Sequence, residues 1–449
     1  MSERVIVIGA GIAGLAAAFR LKQHGFEVLV LERERHVGGR MSTRTARGFR
    51  IDLGASILPS TYRRMSRLIA DAGLQVQVLP TSDLVGVYRD GQVHRFRAAS
   101  KLDLLKTQLL SWSSKVALSR MLLDLQHIGA ALDWYDISKA APWDIESAAQ
   151  YARRRLNDEL LEYLLAPALG SFHLSSPERL SIVDFFFALR NVLGGTFFNS
   201  QTGADFLCRG LAAQLPVELE AHVSGVAEHA GGVRVAWSRP GMPERVEDAS
   251  ACVVAVPATQ VRALYPQLDA VRSDVLGRIE YSTSVAVHLG LMRAPDERAI
   301  LIQVPRREHP ELRAVIFDHN KAPGRAPPGK GLLATYWQHD FGLRNYERDD
   351  AAVIETALAG IDRVLPGLGG DIELAHVQRW RSAAVLSRPG AYRELARLVQ
   401  ATDPRTRVQL AGDYFSISTS HASLCSGERA AQRLITAFGS AASVGASSR

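Results

Sequence analysis

The sequence predicts an α/β fold built on a parallel β-sheet, and two patterns near its start support this. In the first, a short apolar strand, Val5–Ile8, leads into the turn Gly9–Gly14, and a helical stretch, Leu15 to His24, follows. A second apolar strand, Phe26–Leu31, then ends in the acid Glu32. Short apolar runs rich in β-branched residues are typical of strands buried on both faces of a parallel sheet.

The second pattern is the spacing Gly-x-Gly-x-x-Gly in the turn. Gly9 permits the tight turn, Gly11 lets a pyrophosphate approach the backbone, and Gly14 lets the helix pack closely on the strand. The free N–H groups of the helix start attract phosphate, and Glu32 suits the hydroxyls of an unphosphorylated ribose, as in NAD or FAD. The residues expected to bind this dinucleotide are Gly9, Gly11, Ile12, Ala13, Gly14 and Glu32.

Composition excludes several other classes of protein. The 449 residues are 47% hydrophobic and 22% charged, which excludes a disordered chain, a collagen and a membrane bundle. The net charge of +7 is spread along the chain, so no nucleic-acid partner is expected. The three cysteines, Cys208, Cys252 and Cys425, form no CxxC pair, which predicts buried thiols rather than disulfides or a metal site. We see no secretory signal and no apolar run of membrane-spanning length, and we expect a cytoplasmic protein.

A second glycine motif, Gly38-Gly39-Arg40, follows Glu32 after five residues. The order of acid, short spacer and Gly-Gly-Arg resembles the flavin-containing amine oxidase superfamily. The resemblance implies a Rossmann-type FAD-binding domain of the GR2 type, interleaved with an α+β substrate domain. It also implies that Gly38 and Gly39 lie along the FAD pyrophosphate and that Arg40 contacts it, a role that suits the planar donor fork of arginine.

Other segments carry the same resemblance: Gly48–Ser56, the strand Val217–Val226, the strand Val408–Asp413 and a helix start at Ala422. The resemblance implies that Gly54, Ala55 and Ser56 lie at the isoalloxazine ring and that Gly412 and Asp413 hold the ribityl chain. It also implies that His421, Ala422 and Ser423 lie at the flavin pyrimidine and that Val223 lies at the adenine. Pro389 stands where monoamine oxidases carry the cysteine that holds flavin covalently, so non-covalent FAD is expected.

The resemblance also divides the chain into two interleaved domains. The FAD-binding domain is expected at 1–60, 200–265 and 405–435, the substrate domain at 61–199 and 266–404, and a disordered tail at 440–449. Within the substrate domain, the sequence predicts helices at Lys101–Leu125 and Ala148–Leu165 and strands at Tyr281–Leu291 and Leu332–Trp337.

Two departures argue against an ordinary amine oxidase. The segment Ile279–His288 lacks the lysine that holds a water at flavin N5 in such enzymes, and Thr419 replaces an aromatic residue of their cage. The run from Asp144 to Ser181 resembles protoporphyrinogen oxidase instead, and phytoene-desaturase-like enzymes share much of the remaining pattern. We therefore expect an enzyme that moves a hydride from a bulky, largely apolar cyclic or isoprenoid substrate to FAD, with O2 or another carrier as electron acceptor.

Three alternatives stay open at this point: an amine or amino-acid oxidase with an atypical cage, a non-redox flavin isomerase, and a flavin-stabilised binding subunit. No catalytic residue is assigned. The residues that qualify as acids or bases by type are His173, His288, His319 and His421. The residues expected to line the cavity beside the flavin are Ser56, Thr419, Ser420 and His421.

The predicted helix Lys101–Leu125 carries apolar residues along one face and basic residues beside them. The apolar residues are Leu102, Leu105, Leu109, Trp112, Val116 and Leu123, and the basic residues are Lys101, Lys106, Lys115 and Arg120. Such a helix can lie on a membrane surface or pack against the protein core. We expect it to face the core.

Overall fold

A computed structural model describes residues 3–191, 194–367 and 371–438, and the predicted disordered tail lies outside them. The α/β fold predicted from the sequence is confirmed. In chain order, the strands are β1 (Arg4–Ile8), β2 (Glu27–Leu31), β3 (Thr43–Ala46), β4 (Phe49–Asp52), β5 (Leu58–Pro59), β6 (Leu79–Thr81), β7 (Leu84–Arg89), β8 (Gln92–Arg97), β9 (Phe197–Asn199), β10 (Val217–Glu218), β11 (His222–His229), β12 (Gly232–Ser238), β13 (Arg245–Ala249), β14 (Ala251–Val254), β15 (Ser284–Leu291), β16 (Leu301–Gln303), β17 (Leu312–Phe317), β18 (Gly331–Trp337), β19 (Ile372–Trp380) and β20 (Val408–Leu410).

The helices are α1 (Ile12–Gln23), α2 (Arg63–Asp71), α3 (Lys101–Lys106), α4 (Trp112–Ile128), α5 (Ala148–Arg155), α6 (Asp158–Leu160), α7 (Ala166–His173), α8 (Ile182–Asn191), α9 (Phe206–Ala212), α10 (Ala258–Leu264), α11 (Ala270–Arg278), α12 (His339–Asn345), α13 (Asp350–Asp362), α14 (Ala391–Ala401) and α15 (Ser420–Phe438). A π-helical turn, Leu161–Leu165, joins α6 to α7.

A parallel sheet of order β10-β2-β1-β14-β20 forms the first layer of the fold. Val5 and Val7 of β1 contribute to one apolar core, and Ile6 and Ile8 contribute to the core on the opposite face. Because successive side chains of a strand point to opposite faces, β1 is buried on both sides, as its apolar sequence predicts. The five strands come from three distant parts of the chain.

A seven-stranded sheet of order β19-β15-β18-β17-β16-β7-β8 forms the second large layer. It is antiparallel except for the pair β16 and β7. Every residue of β15 is buried, and helix α13 covers the apolar side chains of this sheet. There are three smaller sheets in the described chain. The first contains β11, β12 and β13, the second contains β3 and β4, and the third contains β5, β9 and β6.

Helices α1 and α15 approach each other so closely that only glycine fits between them. A Cβ added at Gly427 would lie 2.0 Å from the carbonyl oxygen of Ala13, which is far inside van der Waals contact. Arg20 of α1 and Glu428 of α15 form an ion pair at 2.7 Å beside this contact. The two ends of the described chain are therefore packed together against the parallel sheet.

Several predicted boundaries are wrong, each for a local reason. The first helix begins at Ile12 rather than Leu15, and the last begins at Ser420 rather than Ala422. The strand predicted from Tyr281 begins at Ser284, and Tyr281 itself forms only an isolated bridge with Val385. The segment Ala148–Leu165 is not one helix, because Asn157 caps a new start with its side chain.

The segment Lys101–Leu125 is likewise two helices, because Ser111 caps α4 with its side chain. The expectation that its apolar face packs on the core is wrong for most of that face. Leu109 is buried, but Leu102 is 65% exposed, Trp112 78% and Val116 67%. The core contacts of α4 come instead from Ala117, Leu118 and Met121.

Within the described parts of the chain, none of the helices combines the length and hydropathy needed to cross a membrane. The three cysteines are free thiols in buried positions, as expected.

We expect Gly427→Ala to destabilise the fold by about 1 to 3 kcal/mol, because the added methyl group must push α15 away from α1. The free energy of unfolding, measured by urea titration with saturating FAD, checks this. Gly225→Ala is the matched control, because a Cβ at Gly225 meets no atom within 4 Å. Equal stabilities of the two variants would contradict the close contact.

Candidate functional site

The turn between β1 and α1 leaves open space at one of its three motif glycines. A Cβ at Gly14 would lie 1.9 Å from the Gly9 carbonyl oxygen, and one at Gly9 would lie 2.7 Å from the Ala255 carbonyl oxygen. A Cβ at Gly11 would meet no atom within 4 Å. No described side chain caps the start of α1, so the N–H groups of its first turn point into this space. The geometry fits a bound pyrophosphate.

Glu32 lies beside this turn and is held by the backbone. Its carboxylate accepts hydrogen bonds from the N–H groups of Ala10 at 2.6 Å and Glu34 at 3.0 Å. The N–H of Ala221, two residues before Val223, donates to the Glu32 carbonyl oxygen at 2.8 Å. The structure therefore brings the predicted ribose-binding acid and the predicted adenine-side strand β11 together.

The Gly-Gly-Arg motif packs against the same turn and against the Gly54–Ser56 segment. The N–H of Gly38 donates to the Ala10 carbonyl oxygen at 2.9 Å, and that of Ala55 donates to the Arg40 carbonyl oxygen at 2.9 Å. Gly54 lies so close to the Gly-Gly-Arg motif that a Cβ there would be 2.2 Å from the Arg40 carbonyl oxygen. The Gly9–Gly14 turn, the Gly38–Arg40 motif and the Gly54–Ser56 segment thus lie in contact and form one continuous wall.

Arg40 and Asp413 form a bidentate ion pair that joins the two ends of the chain. Arg40 donates to the two carboxylate oxygens of Asp413 at 2.7 and 3.0 Å. The Tyr281 phenol at 3.3 Å and the Ser418 hydroxyl at 2.7 Å also donate to this carboxylate. Burial alone would raise the pKa of Asp413, but Arg40 and these donors hold it below its usual value. Asp413 is therefore a buried carboxylate that stays ionised.

The remaining residues predicted at the flavin lie at the start of α15. His421 and Ala422 are buried, and Ser423 is half-buried. The N–H of Gly412 donates to the Ser426 hydroxyl at 2.8 Å, which fixes the turn after β20 against α15. The start of α15 therefore lies next to the Gly412–Asp413 turn.

Side chains from distant elements hold the backbone carbonyl groups of the Leu53–Ser56 segment. Trp380 donates to the Leu53 carbonyl oxygen at 2.8 Å, and Tyr336 donates to that of Gly54 at 2.9 Å. Asn199 donates to the carbonyl oxygen of Ser56 at 3.0 Å. The segment expected beside the isoalloxazine ring is thus fixed by residues of β18, β19 and β9.

A buried group of four charged residues lies directly behind this segment. Lys321 contacts Asp52 at 2.9 Å and is also paired with Asp318, and Arg325 contacts Asp52 at 2.5 Å. Burial acts to raise the pKa of Asp52, but the positive charges of Arg325 and Lys321 outweigh this effect. The pKa of Asp52 therefore lies well below its usual value. The sequence analysis missed this group, because no spacing pattern marks Lys321 and Arg325.

Aromatic rings from separate parts of the chain surround the start of α15, and the sequence analysis missed them as well. Tyr62 stacks on His421 with centroids 4.7 Å apart, and Trp134 contacts the same ring edge-on at 4.7 Å. Phe187 packs against Trp134 at 4.6 Å. Thr419 is a polar neighbour of the Tyr62 phenol. The absence of an aromatic residue at position 419 therefore does not leave this region without aromatic rings.

The four histidines considered as acids or bases are all neutral near pH 7. Burial lowers the pKa of His173 to about 4, and that of His319 is lowered for the same reason. Burial lowers the pKa of His288 and of His421 to about 3, with help from His376 and Arg64, respectively. None of them can act as a cationic acid at neutral pH. Among the residues that the structure describes, no three His, Cys, Asp or Glu side chains cluster as metal ligands.

Comparisons with known proteins identify the family of the chain. A family model described as "flavin containing amine oxidoreductase" matches residues 12–435. Protoporphyrinogen oxidase 2 of Arabidopsis thaliana is 30% identical over 192 residues, which are 42% of this chain and only 36% of the plant protein's length. Coproporphyrinogen III oxidase of Bacillus subtilis is 22% identical over 418 residues, which cover 85% of this chain and 87% of that enzyme.

Among solved structures, putrescine oxidase bound to putrescine superimposes with a TM-score of 0.78 at 18% identity, covering 97% of this chain and 99% of that chain. At this identity the likeness shows a shared fold and nothing finer.

We expect the His288→Leu variant to lose less stability than the parent protein when the pH is lowered. The pKa of His288 is about 3 in the folded protein and about 6.5 when unfolded, so only the unfolded chain takes up its proton between these values. Stability therefore falls as the pH drops from about 6.5 to 3, by about 1.4 kcal/mol per pH unit for one histidine, and the variant should lose this contribution.

Urea titrations across this pH range, with saturating FAD, measure the effect. The exposed His222 supplies the control, because His222→Leu removes a ring that water surrounds in both states. The same pH slope in His288→Leu as in the parent would contradict a neutral, buried His288.

Proposed function

The chain belongs to the flavin-containing amine oxidoreductase family, and from this premise we propose that it oxidises a bulky cyclic substrate of the porphyrinogen class. It is an FAD-dependent oxidoreductase with FAD as cofactor. When bound, FAD supplies an acceptor for a hydride. The substrate and the electron acceptor, O2 or another carrier, are part of the proposal.

We assign the cofactor to the continuous wall described above. The first turn of α1 and Gly38 and Gly39 would hold the pyrophosphate, Glu32 a ribose, and Asp413 the ribityl chain. The open space at Gly11 supports this assignment, because it is the only one of the three glycines of the first turn where nothing packs. Arg40 would act in part by keeping Asp413 ionised and in place.

The proposed substrate class rests on the positive charges around His421. The Arg64 guanidinium lies 4.2 Å from the Tyr135 ring centroid, and that of Arg429 lies 5.1 Å from the Phe415 ring centroid. Burial lowers the pKa of Arg429, and no described acid forms an ion pair with it. Arg64 lies close enough to His421 to lower its pKa, but it is paired with Glu428 at 3.1 Å. In this proposal it is therefore the charge of Arg429 that disfavours an ammonium substrate and suits a neutral or carboxylated ring.

The curated relatives named above support the same class, since two of them act on porphyrinogens by name. In this proposal the aromatic rings of Tyr62 and Trp134 contact a flat, apolar substrate and exclude water. With a pKa of about 3, the ring of His421 stays neutral and serves as a further flat surface rather than as an acid or base. The oxidation would then depend mainly on orientation by these side chains.

We expect Gly11→Ala to fold normally but to bind FAD at least about tenfold more weakly, because its methyl group enters the space assigned to the pyrophosphate. Titration of the FAD-stripped protein, followed by flavin fluorescence, gives the dissociation constant. Gly231→Ala controls for the loss of a glycine, because a Cβ there meets only side-chain atoms of His229 at 3.7 Å. Wild-type FAD affinity in Gly11→Ala would contradict the assigned site.

We expect coproporphyrinogen III or protoporphyrinogen IX to bleach the enzyme's flavin absorbance under anaerobic conditions at least about 100-fold faster than putrescine or cyclohexylamine. Phytoene tests the isoprenoid alternative in the same assay. Faster bleaching by an amine would overturn the proposal in favour of an amine oxidase. Conversion of substrate to an isomer, with the flavin still oxidised, would overturn it in favour of an isomerase.

The variant Arg429→Gln tests, in the same assay, whether Arg429 affects the choice of substrate without affecting FAD binding. The variant should bind FAD as the parent does, lose kcat/KM for the porphyrinogen by about tenfold, and react no more slowly with amines. Arg153→Gln, a change to an exposed arginine of α5, is the matched control. An equal loss for both substrate classes would show that Arg429 does not select between them.

A further inference from the structure

We propose that α3, α4 and the turn between them form a docking surface for an anionic lipid bilayer. This α3–α4 surface consists of the apolar residues Leu102, Leu105, Trp112, Val116 and Leu123 and the basic residues Lys106, Lys115 and Arg120. The inference does not depend on the proposed substrate, because it concerns a surface remote in the sequence from every residue assigned to FAD.

Exposed apolar side chains are concentrated on this surface. Of the fourteen large apolar side chains exposed in the described residues, six lie within Leu102–Leu123. Trp112, Val116 and Leu123 are spaced by four and seven residues, so they form a stripe along one face of α4. Single exposed apolar residues are normal on protein surfaces, but a contiguous patch marks a site of interaction.

Helix α4 is apolar on two opposite faces. Ala117, Leu118 and Met121 pack into the core, whereas Trp112 and Val116 face solvent. A helix that is apolar on one face needs one partner, and the second apolar face of α4 has none within the described chain. The exposed face therefore fits an external partner.

A hollow of about 590 Å³ lies between the two helices and is open to solvent. Leu102, Leu105 and Leu110 supply its apolar lining, and Trp112 and Lys115 border it. The Lys115 ammonium group lies 5.1 Å from the centroid of the Trp112 ring and donates to the Thr107 carbonyl oxygen at 2.8 Å. The hollow thus combines an apolar floor with a cation at its rim.

The charge of the surface is positive and not neutralised locally. Lys106, Lys115 and Arg120 form no ion pair with any described residue. The two acids on these helices are engaged elsewhere, since Asp103 bonds to Ser100 and Asp124 is paired with Arg155 at 2.7 Å. Basic residues beside exposed Trp and Leu are the composition of helices that lie in the headgroup region of anionic membranes.

A second copy of the chain fits this surface less well. A two-fold dimer through the α3–α4 surface would bring Lys106, Lys115 and Arg120 towards the same residues of the partner, because a two-fold interface pairs a surface with itself. Like charges would then oppose each other at the rim. An anionic bilayer supplies both the apolar medium and the opposite charge.

The test is flotation of the full-length, FAD-loaded protein with vesicles of phosphatidylglycerol and phosphatidylcholine in equal parts. We expect binding that weakens with added salt and is nearly lost on vesicles of phosphatidylcholine alone. The double variant Trp112→Ser with Val116→Ser should lower the partition coefficient at least about tenfold, and Lys106→Gln should lower it about fivefold. Each variant is used only if its flavin spectrum and melting temperature match those of the parent.

Two control variants make the result specific to this surface. Met242→Ser with Val246→Ser changes exposed apolar residues elsewhere, and Arg405→Gln removes an exposed charge elsewhere. Both should bind vesicles as the parent does. Equal losses in the controls would overturn the proposal, because binding would then follow from overall charge.

Absence of binding to the anionic vesicles would also overturn it. A concentration-dependent dimer in sedimentation velocity that Trp112→Ser with Val116→Ser abolishes would assign the surface to a second copy instead.

Discussion

The direct backbone contact between α1 and α15 is the constraint on which the rest of the structure depends. Gly427 rests on the carbonyl oxygen of Ala13, and any side chain at this position would separate the two helices. Because α1 begins in the glycine turn and α15 begins just after Asp413, this contact sets the distance between the two ends of the cofactor wall. The ion pair of Arg40 with Asp413 bridges the same two parts of the chain.

The seven-stranded sheet contacts the Leu53–Ser56 segment, which in turn bonds to Arg40 of the Gly-Gly-Arg motif. This short stretch has no regular hydrogen-bond ladder of its own, and Trp380, Tyr336 and Asn199 satisfy its carbonyl groups from outside. A buried backbone without such partners would be costly. The segment expected to face the flavin is therefore held by the seven-stranded sheet, which couples the cofactor wall to the part of the chain proposed to bind substrate.

The sequence predicted those parts of the site that are encoded in short, contiguous patterns. The turn Gly9–Gly14, the acid Glu32 and the Gly38–Arg40 motif are of this kind, because spacing alone determines their backbone conformation. The contacts of Tyr62, Trp134 and His421 could not be predicted in this way, since they join positions up to 359 residues apart whose spacing carries no pattern. Only the folded topology brings them together.

Periodicity had a second limit at α4. It shows which residues share a face, but both faces of this helix are apolar, and hydropathy alone does not show which of them the core covers. Ser114, Ala117, Leu118 and Met121 lie on the buried face, whereas Trp112 and Val116 stay outside. Which of the two apolar faces is buried therefore depends on how distant parts of the chain pack against the helix.

The buried group of Asp52, Asp318, Lys321 and Arg325 has a consequence for the history of the sequence. Loss of one member leaves an uncompensated buried charge, which is among the most destabilising of single changes. The four positions should therefore be inherited as a set and covary among homologues, with intermediates selected against. Because Asp52 lies far from the other three in the chain, recombination between residues 52 and 318 would yield folded chimeras only when both parents carry the same arrangement of charges.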